Sequence, residues 1–207
     1  MGKQAARDAD RKARVDALRS QQRRSQRRRT MMWVGGTTAL VVVLVAAVVW
    51  AIVGSRKNSS STLTGLVSYS NLSRDHVQGT VTYAQTPPAG GKHSAVWQNC
   101  GIYTSPVANE TAVHSLEHGA IWITYRPDLS ADEVKILQDD VRGQKYGLLS
   151  PFPGLPSAVV ATIWGNQLKL TSAADPRLKT FIAKYGDGMT APEPGGECTG
   201  GTGTPKP

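Results

Sequence analysis

The chain has 207 residues and a formal net charge of +9, but the charge is not spread along it. Residues 1–30 carry eleven Lys or Arg against three Asp, a net of +8, Arg56 and Lys57 follow, and residues 58–207 come to −1. The basic character belongs to a short leader without an aromatic residue to stack on bases, which argues against a nucleic-acid partner.

In chain order, residues 31–53 come first, a run without one ionisable side chain. As a helix rising ~1.5 Å per residue, such a run reaches ~35 Å, enough to cross a ~30 Å hydrocarbon core. The expectation is one N-terminal transmembrane helix in the plasma membrane. The Lys/Arg excess puts the leader in the cytoplasm and makes the C-terminal domain extracytoplasmic, on the cell-envelope side. The basic leader, residues 1–30, would rest on anionic lipid headgroups. A cleaved signal peptide pairs similar parts, but both leader and apolar run are long for one. Residues 54–64 are small and polar, a flexible tether. Residues 65–201 are enough for one domain with its own core, and 202–207 are expected to be disordered.

Within the domain, Val77–Tyr83 alternates in polarity and suggests a strand. Ala120–Tyr125, Ala158–Trp164 and Gln167–Leu170 are rich in β-branched and aromatic residues and predict strands, with a tight turn at Gly165-Asn166. Ser130 and Glu133 form a capping box ahead of Val134, Leu137 and Val141, so residues 131–142 predict an amphipathic helix. Asp175 is a good N-cap, Pro176 suits the first helical position, and Leu178, Phe181, Ile182 and Tyr185 continue at helical spacing. Residues 147–157 hold three prolines and suggest a rigid loop. From Gly186 onward Gly and Pro crowd the chain, and no regular structure is expected. The order of elements gives an α+β fold. It also overlaps the second half of a thioredoxin-like fold, which stays as an alternative because the chain has no C-x-x-C.

Cys100 and Cys198 are the two cysteines. On the expected outer side a structural disulfide is the leading reading, and it would tie the loose C-terminal stretch to the domain. A reactive thiol at Cys100, close in sequence to histidines, and a cysteine metal ligand are the alternatives.

All four histidines, His76, His93, His114 and His118, fall between residues 76 and 118. In a helical turn His114 and His118 stand at i and i+4 on one face, where two imidazoles reach one metal ion. Glu117 beside them could accept a ring N–H, ligate, or act as general base on a bound water. The string H-S-L-E-H fits H-x-x-E-H, two zinc-binding histidines with a catalytic glutamate, but Gly119 and a strand-like run follow immediately and leave no room for a long active-site helix. His93, in a Pro/Gly-rich loop, and His76 are the third and fourth ligands, and three imidazoles with an open position suit zinc, copper or non-haem iron. The competing reading is that the rings cap, bond carbonyls or pack against Trp97 and Trp122.

The strings H-V-Q-G-T-V-T-Y, P-P-A-G-G-K-H-S-A-V-W-Q-N-C-G-I-Y, A-V-H-S-L-E-H-G-A-I-W-I-T-Y-R-P, L-L-S-P-F-P-G-L-P and C-T-G-G, in that order, resemble the domain-of-unknown-function 3105 family over roughly residues 65–201. The resemblance implies a basic leader, one membrane span and then the domain, in a bacterial cell envelope. It also implies family histidines at His76, His93, His114 and His118 and a glutamate at Glu117. It implies no activity. The leading expectation is an envelope-side domain that binds one transition-metal ion, zinc or copper, or a similar small ligand. An interaction or scaffold domain with structural histidines comes second, and a metal-dependent hydrolase using Glu117 third.

Overall fold

A computed structural model of the chain describes residues 63–206. Six strands form one mixed sheet: β1 (Leu66–Ser68), β2 (Gly101–Ile102), β3 (Ile121–Tyr125), β4 (Gly147–Pro151), β5 (Val159–Ile163) and β6 (Asn166–Leu170). Three helices join them: α1 (Asn109–Glu117), α2 (Ala131–Val141) and α3 (Pro176–Tyr185). The strand order is β1-β6-β5-β3-β4-β2. β3 runs parallel to β4, which needs the crossover that α2 provides, while β5 is antiparallel to both β3 and β6. The expected α+β domain is present.

Alternation along β3 decides how the layers form. Ile121, Ile123 and Tyr125 face a core shared with Leu137 and Val141 of α2 and Leu178, Phe181 and Ile182 of α3. Trp122 points the other way, onto Ala112 and Leu116 of α1 and Leu148 of β4. Every residue of β3, β4 and β5 is buried, as expected for strands covered on both faces. The helix starts follow their sequence signals: Ser130 Oγ accepts from the Glu133 N–H, and Asp175 accepts from the Arg177 N–H.

Several expectations are corrected. Val77–Tyr83 is not a strand, because its backbone groups go elsewhere. The Val77 N–H donates to the His93 carbonyl and the Val81 N–H to the Glu110 carboxylate. The first half of the expected loop 147–157 is β4. Pro151 is tolerated there because the neighbouring β2 pairs with only Leu148 and Leu149, so no N–H is required of it. The hairpin between β5 and β6 turns at Trp164-Gly165, one residue early, since Asn166 already pairs with Ile163. In residues 202–206, expected without order, Thr202 and Lys206 are bonded beside β2 and the residues before it: the Asn99 N–H donates to the Thr202 carbonyl and the Lys206 N–H to the Ile102 carbonyl.

The placement as a single-pass plasma-membrane protein is also corrected. Among the described residues no helix is long and apolar enough to cross a membrane. The longest, α2, has 11 residues, and at ~1.5 Å each that is roughly half of a ~30 Å hydrocarbon core. The leader 1–30, the apolar run 31–53 on which the placement rested, and nearly all of the tether lie outside the described residues.

Candidate metal centre

The site is built where α1 meets two loops. Residues 93–98 are fastened to α1 by the Ser94 N–H donating to the Glu110 carbonyl and the Gln98 N–H to the Thr111 carbonyl. The Ser115 hydroxyl adds a bond to the Gln98 carbonyl at 2.7 Å. The loop before it is held in turn, because the His93 N–H donates to the Asp75 carbonyl at 3.1 Å. His76 and His93 are thereby set side by side, above the face of α1 that carries His114 and Glu117.

The ligand-capable atoms of His76, His93, His114 and Glu117 all lie within 4.8 Å of one another, so these four residues could hold a metal ion. His93, His114 and Glu117 are buried, while the His76 side chain is half exposed and marks the open side. His118 falls outside that group, yet its Nε2 is 3.0 Å from Nε2 of His114. The expected leading pair, His114 and His118, is therefore adjacent, but the group that converges most closely pairs His114 with His76, His93 and Glu117. Glu117, expected as a base or supporting partner, stands among the ligand atoms themselves.

Three of the imidazoles are anchored in the same way. His93 Nδ1 lies 2.7 Å from the Gly91 carbonyl, His114 Nδ1 2.6 Å from that of Ser94, and His118 Nδ1 2.6 Å from that of Glu197. A carbonyl oxygen can only accept, so each Nδ1 carries a proton, and a ring with no second proton presents its lone pair at Nε2. Those lone pairs face acceptors: His114 Nε2 faces His118 Nε2, and His93 Nε2 faces Glu117 Oε2 at 3.0 Å. Two acceptors at that distance repel unless a proton or a metal ion lies between them. A ring N–H tied to a carbonyl, with the other nitrogen aimed inward, is also how metal-ligating histidines are oriented. Burial pushes the His114 imidazole below its ordinary value, the Ser94 carbonyl opposes this, and His118, His93 and His76 add to the lowering, so the ring is neutral at neutral pH. The donor set fits a borderline transition-metal ion.

The sequence reading missed Arg74. Its Nε donates to Glu117 Oε1 at 2.6 Å and its Nη2 to Glu193 Oε1 at 2.8 Å. It thereby holds one oxygen of Glu117 and turns the other toward the rings. Its place two residues before His76 was the available signal. Glu193 had none, since it lies in the Gly/Pro-rich run. That run crosses the site: the Glu193 N–H donates to the Glu117 carbonyl, and Glu193 Oε2 is 3.7 Å from His118 Nε2. Cys100 and Cys198 form a disulfide, so neither is a reactive thiol or a ligand in this state. The Trp97 ring packs on His114 and His118, with centroids 5.7 and 5.1 Å away.

The family model described as "Protein of unknown function (DUF3105)" matches residues 76–200, a stretch holding all four histidines, Glu117 and both cysteines. No curated protein and no solved structure matches the chain.

Proposed function

The chain belongs to the DUF3105 family, and from the chemistry of its site we propose that the domain binds one divalent transition-metal ion. His76, His93, His114 and Glu117 would hold the ion, with His118 as a further imidazole. Zinc suits the set best, because neutral imidazoles and a carboxylate are its common ligands and no soft sulfur is at hand. The observation that carries this reading is the convergence of lone pairs: three rings give their Nδ1 protons to carbonyls and leave Nε2 facing an acceptor. When bound, the ion would neutralise that convergence and offer Lewis acidity on the open side beside His76. Glu117 fits the role of ligand better than that of general base, because Arg74 engages one of its oxygens and His93 faces the other. A binding role is therefore favoured over hydrolysis. The strand order β6-β5-β3-β4, with β5 opposed to its neighbours, supports the thioredoxin-like alternative for the fold, although its paired-cysteine chemistry has no counterpart here.

Elemental analysis of the purified full chain tests the proposal. About one zinc per chain is expected, lost in His93→Ala plus His114→Ala. Sub-stoichiometric metal, unchanged by that double substitution, would overturn it and favour structural histidines.

A further inference from the structure

Cys198 is the only buried side chain among residues 187–200, and these residues form no helix or strand. They nevertheless cross the site as a strap. The strap supplies the Glu197 carbonyl that fixes His118 Nδ1, the Glu193 N–H that meets the Glu117 carbonyl, and the Glu193 carboxylate that pairs with Arg74. Gly196 lies so close over the His118 ring that a Cβ there would sit 2.6 Å from its Cγ. Without an apolar face of its own, the strap has one covalent fastening, the Cys100–Cys198 bridge, which spans 98 residues of chain. Its other ties to the domain are hydrogen bonds, among them the Cys100 N–H to the Cys198 carbonyl, the Tyr146 hydroxyl to the Gly196 carbonyl and the Trp97 Nε1–H to the Thr199 carbonyl.

We infer that the Cys100–Cys198 disulfide is a redox latch on the metal site, closing the strap over the ion when oxidised and releasing it when reduced. The inference rests on the metal reading above and assigns its regulation. The releasing step is thiol–disulfide exchange with a dithiol reductant. The reductant's two thiolates displace the two protein sulfurs in turn, it leaves as a disulfide, and Cys100 and Cys198 each take up one electron and one proton. Cys100 is the less buried residue of the pair, and attack is expected from its side. Release removes the carbonyl that holds the His118 tautomer and frees Glu117 and Arg74 from Glu193. Losing such outer partners of a ligating histidine weakens metal binding about 10–100-fold.

Two measurements on the full chain test this, with zinc as the probe. Zinc release to a chromophoric chelator is timed for the oxidised protein, for protein reduced by a phosphine, and for Cys100→Ser plus Cys198→Ser. Amide hydrogen exchange of residues 187–200 is followed in the metal-free forms. Release at least about tenfold faster in the reduced and double-Ser forms, with strap exchange raised and the sheet still protected, supports the latch. Should the double-Ser chain not fold, Gly196→Ala, which lifts the strap with the bridge intact, must also speed release. Equal release rates, or strap amides that stay protected after reduction, overturn it. An oxidised protein that takes up no zinc overturns the metal reading and with it the latch on the ion, and in that case hydrogen exchange still reports whether the bridge holds the strap.

Discussion

Replacing Glu117 by Gln separates a metal site from a structural ion pair. The carboxylate is almost fully buried, with Arg74 on one oxygen and the His93 ring at 3.0 Å from the other. Were His93 a buried imidazolium paired with Glu117, removing the negative partner would cost about 3–5 kcal/mol. With Nδ1–H given to the Gly91 carbonyl and a lone pair at Nε2, the outcome differs. A Gln amide donates to that lone pair, and its oxygen still accepts from Arg74. Arg74 is half exposed, so water screens the loss of its counter-charge. The metal-free variant is therefore expected within about 1 kcal/mol of wild type, since one charge-assisted bond becomes a neutral one and a repulsion becomes a bond. Zinc then reverses the ranking. At 100 times its dissociation constant a ligand stabilises the folded state by about 2.7 kcal/mol, and a tenfold weaker site forfeits about 1.4 kcal/mol of that. Urea unfolding at pH 7.5, with chelator and then with excess zinc, reads both numbers from the same two proteins. A chelated E117Q protein that falls by 3 kcal/mol or more, beside a wild type indifferent to zinc, refutes the lone-pair argument.

Three further outcomes are expected. Ser130→Ala removes the hydroxyl that caps α2 and should lower stability by about 1 kcal/mol in urea titration, while Ser130→Asp should restore most of it. Phe181→Ala empties the core between α3 and the sheet, where the ring is fully buried, and should cost about 3–5 kcal/mol, read as a fall in Tm. The Arg177 guanidinium holds the Asp175 carboxyl below its ordinary value of 3.8, with desolvation opposing. That stabilisation is complete above the ordinary value and is lost as pH falls through the lower folded value, so Asp175→Asn should lower the neutral plateau of a stability–pH curve and flatten its acid limb, the two proteins converging at low pH.

How much of this was legible from the residues depended on where their partners lie. α2 and α3 announced themselves through local signals, Ser130 with Glu133 and Asp175 with Pro176, whose bonds close within one turn. β3, β5 and β6 showed through β-branched runs. α1 did not show as a helix beyond one turn, because its N-cap Ala108 offers no side-chain bond and Ala112 through Glu117 are all buried. A helix buried on every side has no polar stripe to reveal its period. The clustering of four histidines pointed to the candidate site, where the ligand-capable atoms that converge are those of His76, His93, His114 and Glu117. Glu117 joined the converging atoms because Arg74, far from it in sequence, turns its carboxylate inward. The strap was invisible in composition, since a Gly/Pro-rich run reads as loose chain unless the bridge that fastens it is known.

Lys206 pairs with Ile102 of β2, the last strand on one side of the sheet, and Thr202 pairs with Gln98 just before it. Their pairing occupies backbone groups that would otherwise invite a strand from another molecule, so they act as a guard against self-association. A chain cut back to Cys198 would keep its covalent bridge and its histidines, yet it would bare that margin and aggregate as its concentration rises.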